Sequence, residues 1–132
     1  MYKRILVPVD PNGPPGKAVQ HAADLSRALG SQVILMTVAE SAAALASEGK
    51  RALDGAAGSL RDAGVACETL VYASDKPWEG IAMAAEERQC DLIVMSSSGG
   101  QHLDGFVFGS IAAAVLTRSH VPLLVIREDA EA

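Results

Sequence analysis

Small residues at fixed spacing near the end of the chain are the first candidates for chemistry. Ser96 and Gly99 are followed, after nine residues, by the pair Gly109-Ser110. A buried apolar run precedes this segment, and a short apolar helix pattern follows it. Glycine at a helix start allows close backbone approach. The first N–H groups of the helix, at the positive end of its dipole, then favour an anion such as phosphate. Ser110 adds a hydroxyl and an N–H at the same point.

Asp10 is the second candidate. It stands at the carboxyl end of the first apolar run, where a carboxylate can bind ribose hydroxyls, a base or a metal, or cap its own loop as an Asx turn. The next segment contains Gly13, Gly16 and Lys17 but fails the G-x-x-x-x-G-K-[ST] spacing of a phosphate loop. Pro11, Pro14 and Pro15 remove three backbone donors, so it reads as a stiff surface turn with Lys17 as a nearby cation. His21 and His120 read as structural, and His102 as a loop histidine. The motifs G-x-G-x-x-G, H-E-x-x-H and G-x-S-x-G do not occur, and no nucleophile, base and orienting group can be grouped from sequence. A dedicated enzyme is not expected.

The elements that must position these residues follow from periodicity. Residues 4–9, 32–38, 91–95 and 122–126 are almost continuously apolar, as parallel strands covered on both faces should be. Residues 65–72 are interrupted by Glu68 and Thr69, which suggests an edge strand. Between the strands lie four helix patterns. The first has Ala18, Ala22, Leu25 and Leu29 on one face, with Gly30 as its stop. The second has Leu53, Ala56, Ala57 and Leu60, with Gly64 as its stop. The third has Trp78, Ile81, Ala82 and Ala85, and the fourth Ile111, Ala112, Val115 and Leu116. Residues 41–49, rich in Ala and Ser, read as a poorly ordered entry to the second helix. The order β-α-β-α-β-α-β-α-β, with right-handed crossovers, gives an α/β doubly wound parallel sheet with helices on both faces. Ligands of such sheets bind at the carboxyl ends of the strands, where strand order reverses.

Composition agrees. The chain has 132 residues, 49% hydrophobic and only 4% aromatic, so one domain spanning 1–132 builds its core from aliphatic side chains. Its formal net charge of -5 argues against nucleic acid or an acidic membrane surface as partner. No apolar run reaches the length of a membrane span, and the first residues lack a signal peptide's features, so a cytoplasmic location is expected. Cys67 and Cys90 fit no metal pattern and read as small buried hydrophobes.

With these residues in place, the chain resembles the universal stress protein family over nearly its whole length. The resemblance lies in KRILVPVD, QVILMTVAE, IAMAAEERQCDLIVM and GSIAAAVLTRSHVPLLVIR, and in the match of Gly99, Gly109 and Ser110 to the family's G-x2-G-x9-G-[S/T]. It implies a five-stranded, Rossmann-like sheet of order 3-2-1-4-5. It implies adenine near Val38, with Asp10 on the adenosine part and Ser96, Gly99, Gly109 and Ser110 around the phosphates. ATP is the first ligand implied, AMP and ADP being alternatives, with magnesium as a companion ion and slow ATP hydrolysis as the upper bound of any activity. It further implies a homodimer through the last strand, between Pro122 and Ile126, and a regulatory role in the stress response toward a protein partner not identified. The chain departs from the pattern in five ways, the first being the proline-rich turn after Asp10. Ser96 replaces the first Gly. Gln101, His102 and Asp104 stand where a basic residue is common. Asp75 precedes Lys76-Pro77 where Gly is frequent. No Lys or Arg occurs between Arg88 and Arg118. These departures define the alternative, an interaction module of the same fold that binds no nucleotide.

Overall fold

A computed structural model describes residues 1–10, 16–41, 43, 45–97 and 109–127. The elements are β1 (Arg4–Pro8), α1 (Gly16–Leu29), β2 (Gln32–Ala39), a π-helical turn (Leu45–Gly49) leading into α2 (Lys50–Asp62), β3 (Cys67–Ala73), α3 (Pro77–Glu87), β4 (Leu92–Ser96), α4 (Ser110–Arg118) and β5 (Leu123–Ile126). Every strand pairing is parallel, and the order is β3-β2-β1-β4-β5. The expected α/β doubly wound sheet is therefore present.

The apolar runs form strands because both of their faces are covered. Ile5, Leu6 and Val7 of β1 are fully buried, as are Val33, Ile34, Leu35 and Met36 of β2. Alternate residues of each strand serve opposite cores. Ile5, Val7, Val33 and Leu35 pack with Ala22, Ala23, Leu53 and Leu60 of α1 and α2. Leu6, Ile34, Met36 and Ile93 pack with Ile81 and Ala84 of α3 and Ala112 and Val115 of α4. β3 is an edge, and its exposed Glu68, Thr69 and Val71 show it. β5 is the other edge. Leu124 there is exposed and Leu123 and Val125 are half-buried.

Two expected core contacts differ. Leu29 is 47% exposed, because α1 ends there and Gly30 turns the chain at φ +74°. Ser26 is buried one turn earlier, and its hydroxyl donates to the Ser31 carbonyl at 2.6 Å. Leu116 is 58% exposed, since α4 turns only Ala112 and Val115 fully toward the sheet. Residues 45–49 form the π-helical turn rather than an irregular entry. Cys90 is buried as expected, whereas Cys67 is half-exposed.

The amino ends of the strands are tied by side chains. The Asp91 carboxylate accepts the Lys3 and Arg4 N–H groups at 2.9 and 3.0 Å. Arg4 Nε donates to the Arg88 carbonyl at 2.6 Å, and its Nη1 to Gln32 Oε1 at 2.8 Å. One arginine thus fixes β1 against the entries to β4 and β2. Among the described residues, no helix is long and apolar enough to cross a membrane.

Candidate functional site

Strand order brings the candidate residues to one rim. β1 is central, with β2 on one side and β4 on the other. The chain leaves β1 toward β2 but enters β4 from β3, so the order reverses between β1 and β4, where doubly wound sheets bind ligands. Asp10 follows β1 and is half-buried. Val38, next to last in β2, is 8% exposed. Ser96 ends β4 and is half-buried. The register pairs Pro8 with Met36, so Asp10 and Val38 each lie two residues beyond a matched pair.

Two hydrogen bonds lock that level. The Val9 N–H donates to the Met36 carbonyl at 2.8 Å, and the Thr37 hydroxyl donates to the Val9 carbonyl at 2.8 Å. Thr37 is 1% exposed, so its hydroxyl works inside the protein and fixes the chain immediately before Asp10.

The second half of the rim is built around Ser97, which is fully buried. Its N–H donates to the Ile126 carbonyl of β5 at 3.0 Å, and its carbonyl accepts the Gly109 N–H at 2.5 Å. Gly109 is the N-cap of α4, at φ −63° and ψ 153°, and the Ala113 N–H closes the first turn on its carbonyl at 3.0 Å. Those dihedrals are open to any residue, so the glycine is not required by backbone conformation. Gly109 is buried while Ser110 is exposed. The start of α4 therefore stands over the end of β4, and helix starts carry N–H groups without intrahelical partners. Gly99 lies outside the described residues, as do His102 and Asp104.

The charges at this rim are mixed. Asp10 follows β1, Glu40 follows β2, and Asp75 follows β3. Lys17 lies in the first turn of α1, and Lys76 precedes α3. An anion placed here would face carboxylates as well as cations, and the helix start would add attraction independent of the side chains. His21 is exposed on α1 with Nδ1 3.2 Å from the Lys17 carbonyl, and His120 is exposed beyond α4.

Three residues of this region escaped the sequence reading. Thr37 was hidden in an apolar run, although a lone hydroxyl there must find a partner. Ser97 was one of three successive serines, and only the fold distinguishes it. Gly80 sits inside α3, where glycine is a poor helix former, and that is a readable signal of close packing. A Cβ there would lie 2.8 Å from Val38 Cγ2.

Comparison with known proteins agrees with this architecture. The model of the universal stress protein family matches residues 1–127. The chain is 28% identical to universal stress protein MJ0531 of Methanocaldococcus jannaschii, over 97% of this chain and 84% of that protein. The solved structure of MJ0577, from the same organism, superposes with a TM-score of 0.82 at 27% identity and covers 99% of both chains. A universal stress protein from Archaeoglobus fulgidus, solved in complex with dAMP, has the same fold. Its TM-score is 0.78 at 23% identity, over 95% of this chain and 98% of that one. With the family model covering nearly the whole chain and the sheet order in agreement, this chain belongs to the universal stress protein family.

Proposed function

We propose that this protein is an adenine-nucleotide-binding regulatory protein of the stress response, with ATP as its first ligand, AMP and ADP as alternatives and magnesium as companion ion. One observation carries the reading. The helix start at Gly109-Ser110 stands over β4, beside the ends of β1 and β2, where Asp10 and Val38 lie. Val38 serves the adenine, Asp10 the ribose, and Ser96, Gly99, Gly109 and Ser110 the phosphates. The dAMP complex of the Archaeoglobus fulgidus relative supports a purine nucleotide as the ligand class. The role is binding rather than catalysis, in the cytoplasm, by a single domain over residues 1–132. Two copies pair through β5, whose exposed Leu124 and half-buried Leu123 and Val125 offer an apolar edge.

Calorimetric titration with ATP and magnesium, and with AMP, tests the reading. Saturable binding weakened by Asp10→Ala is expected. Flat titrations at millimolar nucleotide would remove it.

A second reading is an interaction module without nucleotide. It is favoured by the lack of any Lys or Arg between Arg88 and Arg118. Native mass spectrometry of freshly purified protein separates the two, because a co-purified adenine nucleotide counts against the module.

A further inference from the structure

We propose that Gly80 sets the position of the purine end of this site, acting through Val38. The proposal rests on the nucleotide reading above and adds a positioning residue to it.

Gly80 is buried inside α3. A Cβ built on it would lie 2.8 Å from Val38 Cγ2, 3.2 Å from Val38 Cγ1 and 3.6 Å from Tyr72 Cβ. The glycines of α2 behave differently, because a Cβ on Gly55 or Gly58 meets nothing within 4 Å. Glycine is therefore dispensable for space in α2 and required for space at 80. α3 approaches β2 so closely that the Val38 methyls fill the notch left by the missing side chain.

Those methyls have little room to yield. Val38 is branched at Cβ, so its side chain has few rotamers, and it is 8% exposed. Its register partner on β3 is Tyr72, the other residue facing the notch. A methyl added at 80 displaces the end of β2 rather than a mobile side-chain tip. Thr37 is the preceding residue, and its hydroxyl holds the Val9 carbonyl next to Asp10. That bond keeps the chain before Asp10 in place, so the displacement falls on Val38, assigned to the base, while the Ser97–Gly109 contact lies on β4 and α4, away from it. Gly80 acts on the base and not on the phosphates.

The test is titration of wild type, Gly80→Ala, Val38→Ala and the double variant with AMP and with ribose 5-phosphate, which lacks the base. Thermal melts check that each variant is folded. Gly80→Ala should weaken AMP roughly 3- to 30-fold and leave ribose 5-phosphate unchanged. In the Val38→Ala background, where the opposing methyls are gone, the same change should have no further effect on AMP. Equal AMP binding by wild type and Gly80→Ala overturns the proposal. So does an equal loss for AMP and ribose 5-phosphate, which marks a general defect. Should Gly80→Ala not fold, the double variant decides: folding and AMP affinity equal to Val38→Ala support the proposal, and a further loss overturns it. Wild type that binds no AMP, ADP or ATP instead removes the nucleotide reading itself, and this proposal with it.

Discussion

The Gly109 N–H donates to the Ser97 carbonyl at 2.5 Å, so the end of β4 and the start of α4 are tied together directly. The same Ser97 takes its own N–H to the Ile126 carbonyl at 3.0 Å. The helix start proposed for phosphate and the edge strand proposed for dimer pairing therefore share one buried residue.

Gly109→Asp separates binding from stability. The position has extended N-cap dihedrals, which aspartate adopts readily, and a carboxylate there complements the helix dipole. The same charge repels a phosphate. Calorimetry should show affinity for ATP lowered by about tenfold or more, while the melting temperature falls by at most about 5 °C, the capping contact offsetting part of the desolvation cost of a carboxylate at this buried position.

Asp91→Ala should lower stability by about 1 kcal/mol, or roughly 3–5 °C in melting temperature, because two N–H groups lose their carboxylate acceptor at a partly exposed site. Its pH dependence has a definite sign. Desolvation pushes the Asp91 carboxyl up, but the N–H groups of Arg4 and Lys3 outweigh it and hold the pKa below the ordinary 3.8. A depressed folded-state pKa gives stability that is complete above the unfolded value and is lost as pH falls through the folded one. Melts of wild type and variant should differ at neutral pH and converge in acid below pH 3.8.

Arg118→Ala should be visible in fluorescence. The Arg118 guanidinium lies over the Trp78 ring, 4.5 Å from its centre, and joins the end of α4 to the start of α3. Trp78 is the sole tryptophan of the chain. Its emission should change in intensity or wavelength on substitution, with a stability loss of about 0.5–1 kcal/mol. Unchanged emission would show that the contact is not populated in solution.

Leu124→Lys tests the edge. Leu124 is 37% exposed in the middle of β5, and a charge there opposes strand pairing between copies. Light scattering should show a monomer in place of a dimer, with an unchanged circular dichroism spectrum.

Much of this was legible in sequence because both faces of the sheet are covered. Each of β1, β2, β4 and β5 lies within one residue of its apolar run at either end. β3 starts two residues late because the Val65 N–H caps α2, donating to the Leu60 carbonyl at 2.8 Å. The stops at Gly30 and Gly64 both take positive φ, at 74° and 79°. The misses share a cause. Leu29 and Leu116 fit the helical period, yet burial depends on how far the sheet extends beneath each helix. Thr37, Ser97 and Gly80 act through contacts made across the fold; a hydroxyl in an apolar run or a glycine inside a helix signals that a partner is close, but spacing along one segment does not name it. Asp10, Val38, Ser96, Gly109 and Ser110 do lie at one rim, while Gly99 lies outside the described residues.

The latch of Arg4 on Gln32 and Arg88, with Asp91 gripping β1, occupies the pole of the sheet opposite the rim. What sets strand register and what meets a ligand are thereby carried by different residues at different ends. Substitutions among the rim residues that meet a ligand leave this latch in place. A lineage can exchange one ligand for another, or lose it, without passing through an unfolded ancestor.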